Sequence, residues 1–127
     1  IGKTRSMIAD ACNIACNRIY DENFGWIGNG NSEPVLFITT EQELEEIQTM
    51  MLAFISNVNE EHIINGQYID DEEERVLAAA KILKEAPLYV EELPDFSLKD
   101  VEDKIKKNIR EHDIKYVFDP IKRVTGQ

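Results

Sequence analysis

The sequence contains no apolar run approaching the eighteen or so residues needed to span a bilayer, and its start has no signal-type apolar core. With neither a spanning helix nor a leader in view, a cytoplasmic protein with no membrane partner is the expectation. Basic residues are scarce: 14 Lys and Arg stand against 25 Asp and Glu, for a formal net charge of −11 and a pI near 4.6. That balance argues against this chain gripping DNA or an anionic membrane by itself, because both interactions run on Lys and Arg. Any nucleic-acid grip is expected from residues outside this segment. Cysteine is limited to Cys12 and Cys16, four apart with no His or further Cys nearby. This is a poor metal set, and two reduced thiols acting as small buried hydrophobes are expected instead. An initiator Met is also missing. A chain that opens inside a motif suggests a trimmed or artificially bounded polypeptide.

What is present begins with Gly2-Lys3-Thr4, which match the last three residues of G-x-x-x-x-G-K-[ST], a turn between strand and helix whose backbone N–H groups wrap phosphates. A bare triplet of this kind arises by chance in roughly one chain in fifteen to twenty of this length, so it needs support. Ile8, Ala11, Cys12, Ala15 and Ile19 follow at i, i+3, i+4, i+7 and i+11, one face of a helix. A phosphate loop must open into a helix, since free N–H groups and the positive end of the dipole hold the anion. At 127 residues the chain is one domain or less, long enough to bury a core but short for a complete nucleotide-hydrolysing domain.

Asp21 to Pro34 is polar and rich in Gly and Asn, and is expected to be a surface loop, with Trp26 pinning it to the body. Val35-Leu36-Phe37-Ile38-Thr39 is a short, continuously apolar, β-rich run, the pattern of a strand covered on both faces of a parallel sheet. A helix from Glu43 follows, with Leu44, Ile47, Met51, Phe54 and Ile55 on one side and Met50 and Met51 as core filling. A helical turn from Glu60 to Ile64 ends at Asn65-Gly66. Asp70-Asp71-Glu72-Glu73-Glu74 then precede a helix through Val76, Leu77, Ala80, Ile82 and Leu83. Acids in a first turn favour the helix dipole and need no metal. Leu88-Tyr89-Val90 reads as a strand. A helix opened by Ser97 as N-cap carries Leu98, Val101, Ile105 and Ile109, and Ile114 to Phe118 is the last strand. His62 and His112 read as surface residues without a role.

Strands alternating with helices of this length predict an α/β fold, a three-layer sandwich of parallel sheet and crossover helices. Ligands of such sheets bind beyond the carboxyl ends of the strands. Glu41 and Asp119 both fall just past a strand, and the Lys3-Thr4 turn shares that edge if a strand precedes it. Together they form a coherent set for phosphoryl transfer, which needs positioning and charge neutralisation. Lys3 neutralises the β- and γ-phosphates, the Thr4 hydroxyl and the Asp119 carboxylate ligate Mg²⁺, and Glu41 orients and deprotonates the attacking water. Taken singly, each carboxylate also fits a plain turn or cap, and Asp119 before Pro120 fits a turn well.

The order Gly2-Lys3-Thr4-Arg5-Ser6-Met7, then Val35 through Thr40-Glu41-Gln42-Glu43, then Tyr116-Val117-Phe118-Asp119 resembles the ATPase domain of DnaB-type hexameric replicative DNA helicases, especially phage and prophage versions. The resemblance runs from Ile1 to about Asp119. It implies a partial RecA-like P-loop NTPase fold over residues 1–119, with 120–127 a tail of uncertain origin. It implies ATP and Mg²⁺ as cofactors, with Gly2, Lys3, Thr4 and Arg5 at the nucleotide, Thr4 and Asp119 at the metal, and Lys3 and Glu41 as catalytic groups. As partners it implies a homo-oligomeric ring, expected to be a hexamer, and single-stranded DNA held through segments missing here. The sequence departs from the family in three places: the first half of the phosphate loop, the part after the Asp119 strand that supplies sensor, DNA loops and arginine finger, and Pro120-Ile121 where the family carries an aromatic residue and then Leu or Ile. The expected function is therefore a fragment of a replicative helicase ATPase domain, inactive alone. An acidic, non-catalytic α/β interaction module and a RecA-type recombinase ATPase are the alternatives.

Overall fold

The computed structural model describes residues 2–30, 32–40, 43–92 and 98–119. In chain order these form α1 (Gly2–Ala15), β1 (Arg18–Asp21), β2 (Gly25–Gly28), β3 (Val35–Thr39), α2 (Leu44–Ser56), α3 (Glu60–Asn65), α4 (Glu72–Glu85), β4 (Leu88–Glu92), α5 (Leu98–His112) and β5 (Tyr116–Phe118).

β3 is the centre. Its five apolar or β-branched residues are all buried, and it pairs in parallel on both sides, with β4 from Val35↔Leu88 to Thr39↔Glu92 and with β5 from Val35↔Tyr116 to Phe37↔Phe118. Successive side chains of a strand point to opposite faces, so one strand builds two cores. Val35 and Phe37 pack with Ile8, Ala11, Cys12 and Ala15 of α1, Ile47, Met50, Met51 and Ile55 of α2, and Ala79 and Ile82 of α4. Leu36 and Ile38 pack on the other side with Val101 of α5 and with Ile114, backed by Tyr89 and Ile105. The result is three layers: α1, α2 and α4, then the parallel sheet, then α5. The expected α/β sandwich is what the chain forms. Fully burying each large side chain of β3 contributes about 1.5–3 kcal/mol.

Met50 and Met51 fill the first core as expected, and Cys12 and Cys16 are buried free thiols. A hydrogen bond to Cys16 and burial together push the Cys12 thiol well above its ordinary range, so it stays protonated. Four expectations need correcting, at the 21–34 segment, at Ile19, on α4, and at Ile109 of the expected buried stripe of α5. Asp21 to Pro34 is not simply a loop: Arg18–Asp21 and Gly25–Gly28 form an antiparallel hairpin, closed by the Asp21 carboxylate, which accepts the Asn23 and Phe24 N–H groups at 2.8 and 3.0 Å, and by Gly25 at φ 79°. Ile19 consequently belongs to β1 and not to the stripe of α1, which ends at Ala15. On α4 the buried line is Val76, Ala79 and Ile82, while Leu77 is 65% exposed and Ala80 also faces out. Trp26 does pin its segment, packing on the first core and meeting Tyr20 edge to face at 5.3 Å. Ser97 lies outside the described residues, and Ile109 of α5 is 44% exposed.

Candidate functional site

Because β3 and β5 run parallel, their carboxyl ends open on one edge. β3 ends at Thr39, fully buried, with its hydroxyl donating to the Thr40 carbonyl at 3.3 Å. The Glu43 N–H then closes back on the same Thr40 carbonyl at 3.2 Å, and α2 begins at Leu44. Glu41, expected as the base, lies between these two anchors but outside the described residues. Asp119, half-buried, follows Phe118 one residue past the last paired rung of β5, on the edge where β3 ends.

Gly2, Lys3, Thr4 and Arg5 make the first turn of α1. The far end of this helix is tied to the approach to β3: Glu33 N–H donates to the Ile14 carbonyl at 3.0 Å and the Ser32 hydroxyl to the Ala15 carbonyl at 3.2 Å. A 14-residue helix is about 20 Å long, so its N-terminal turn stands well away from that tie. The first turn of α1 contains no acid, whereas α2, α3 and α4 all carry Glu in their first turn. Two cations, Lys3 and Arg5, thus sit at the positive end of a helix dipole, an arrangement that repels itself and attracts an anion.

A carboxylate from elsewhere meets part of that charge. Both Glu60 oxygens engage the Arg5 guanidinium, with Nη2 to Oε1 at 3.2 Å, bridging α1 and α3. The hydrogen bond and, after it, the charge of Glu60 raise the Arg5 pKa above its already high ordinary value. The pair stands at an open groove of about 680 Å³ with an apolar floor of Ile8, Met50, Phe54 and Val58. Neither the groove nor the Arg5–Glu60 pair was foreseen from the sequence. The partners are 55 positions apart, and no local motif joins them.

Thr4 and Asp119 offer hard oxygen ligands suited to Mg²⁺, and Lys3 with the acid-free turn suits phosphate. The model of the DnaB-like helicase C-terminal domain matches residues 1–126 of the 127. The chain belongs to this family. The chain is also 39% identical over 118 residues to the SPbeta prophage-derived uncharacterized protein YorI of Bacillus subtilis (strain 168), a match covering 92% of this chain. The chain spans 23% of that relative's length. Three parallel strands between layers of helices agree with a partial RecA-like fold for this DnaB-like segment. None of its described helices is long and apolar enough to cross a membrane.

Proposed function

We propose that this chain is part of the ATP-hydrolysing domain of a replicative DNA helicase, with its nucleotide site at the first turn of α1 and the carboxyl edge of β3 and β5. The observation that carries the reading is the family match over residues 1–126, joined to an α/β sheet in which Thr39-Thr40 and Asp119 end neighbouring parallel strands. Lys3 neutralises charge on the terminal phosphates, supported by the backbone N–H groups of the α1 terminus, and Arg5 adds a second cation to the same turn. Thr4 and Asp119 hold Mg²⁺, which when bound spreads the negative charge that develops on the phosphate oxygens. Glu41 accepts a proton from the attacking water and directs it at the terminal phosphate.

Coupling to DNA is assigned to a longer polypeptide and to its ring of copies, in keeping with a net charge of −11 that gives this portion no grip of its own on a phosphate backbone. The 127-residue chain alone is accordingly expected to show negligible DNA-stimulated turnover. The test is Glu41→Gln in a polypeptide that carries this segment and hydrolyses ATP. Expected is unchanged Mg-ATP binding with hydrolysis lost. Unchanged turnover removes Glu41 from the base role, and a protein that binds no Mg-ATP returns the chain to the interaction-module alternative.

A further inference from the structure

α3 is short but firmly mounted. The Asn59 side chain caps it by accepting the Glu61 N–H at 2.8 Å, Gly66 closes it in left-handed backbone at φ 69°, and Val58 just ahead is buried in the body. Upstream, Asn57 at φ 57° turns the chain out of α2, and Arg75 of α4 donates to the Ser56 and Asn57 carbonyls at 3.1 and 2.9 Å. Downstream, Glu72 accepts the Ile69 N–H at 3.0 Å and meets His62 Nδ1 at 2.8 Å. Glu60 is the first residue of this braced helix, so its carboxylate is presented from a fixed base. From there it holds Arg5, the residue after Lys3-Thr4, across the groove.

We propose that Glu60 is a positioning residue for the phosphate-binding turn: by holding Arg5 it fixes the first turn of α1, and with it Lys3 and Thr4, against the α2–α3 platform before ligand arrives. This rests on the nucleotide reading of Gly2 to Arg5 given above. The physical basis is preorganisation. The first turn of a helix frays unless tied down, and a turn already held in place loses less freedom on binding phosphate than a loose one. The first turn of α1 itself carries no acid that would compete with an anion there.

The experiment uses a full-length protein that carries this segment, with Mg-ATP as titrant, and compares wild type, Glu60→Gln and Asp71→Asn. Asp71 makes a comparable ion pair with Arg75 at 2.7 Å but does not touch α1, so its loss reports general effects. Expected is an Mg-ATP affinity weaker by about two- to fivefold in Glu60→Gln, the range for a partly exposed pair, with kcat at saturation unchanged. Asp71→Asn should leave both quantities where they are. A merely structural role lowers the active fraction, and so kcat, without moving KM. Affinity equal to wild type in Glu60→Gln overturns the proposal. Tighter binding also overturns it, because Glu60 would then be withholding Arg5 from the ligand. Wild-type protein that binds no Mg-ATP overturns the nucleotide reading itself, and the inference with it, which separates the two failures.

Discussion

Replacing Arg75 with Met should cost the fold far more than removing the acid it pairs with. Arg75 Nε donates to the Ser56 carbonyl at 3.1 Å, Nη2 to the Asn57 carbonyl at 2.9 Å and Nη1 to Asp71 at 2.7 Å, and the guanidinium lies 4.3 Å over the Tyr20 ring. Its side chain is only 16% exposed. One residue thus ties α4 to the end of α2 and to β1, and Met keeps the aliphatic stem while deleting the fork. A hydrogen bond from a charged donor is worth about 1.5–3 kcal/mol. That full value applies on the Ser56 side, where the residue is buried. Asn57 is exposed and its carbonyl regains water, so less is lost there. The stack over Tyr20 adds about 0.5–1 kcal/mol, and the i,i+4 pair with Asp71 about 0.3–0.5 kcal/mol.

These terms share one side chain and do not add, so the expected loss for Arg75→Met is about 2–3 kcal/mol. Asp71→Asn, which leaves both carbonyl bonds intact, should lose no more than about 0.5 kcal/mol. Urea unfolding followed by circular dichroism reads the difference directly. With a slope of about 1–3 kcal/mol/M, Arg75→Met should move the midpoint by roughly 1 M or more and Asp71→Asn should barely move it. Equal shifts for the two variants, or a shift below about 0.3 M for Arg75→Met at unchanged slope, would refute the reasoning.

Phe37 is completely buried and stacks on Phe118 at 6.3 Å, so Phe37→Ala should cost about 3–5 kcal/mol and Phe37→Leu under about 1.5 kcal/mol by thermal unfolding; an Ala variant as stable as the Leu variant would count against β3 as the centre of the core. The Ile69 N–H first, then burial's opposing push and the pull of His62, leave the Glu72 carboxyl below its usual range. A depressed carboxylate contributes stability that is complete above its unfolded pKa, roughly 4.3, and is lost as pH falls through its folded value. Unfolding midpoints taken from pH 6 down to pH 3 should therefore fall more steeply for wild type than for Glu72→Gln, and parallel curves would contradict that bond's role.

The layered α/β plan was legible because β3 is an uninterrupted apolar run, and such a run has few places in a protein except between two layers. The hairpin was missed because its strands are four residues each and carry as much Gly, Asp and Arg as apolar side chain. What makes it pair is the Asp21 carboxylate turned onto two N–H groups and Gly25 in left-handed backbone, and composition alone shows neither. A helical repeat admits more than one starting angle, and the sequence alone puts Leu77 on a buried stripe. The rotation of α4 is set by packing against α2, which selects Val76, Ala79 and Ile82.

The candidate site divides along the same line. Gly2-Lys3-Thr4 and the acids after β3 and β5 are local patterns, readable from a few neighbouring letters. Glu60 is not, since Glu60 and Glu61 are adjacent acids in one helical turn and look interchangeable. Only one of them holds Arg5; Glu61 is turned to solvent while its N–H bonds the Asn59 cap. The choice between them is a rotation of about 100° around a six-residue helix. That rotation is fixed by Asn57 in left-handed backbone, by the Asn59 cap and by Arg75 reaching in from α4. The identity of the acid facing the first turn of α1 is therefore decided by contacts outside its own turn, with Arg75 reaching back 18 and 19 positions to the Asn57 and Ser56 carbonyls, and a substitution in α4 that lets α3 turn would disturb Arg5 without touching it.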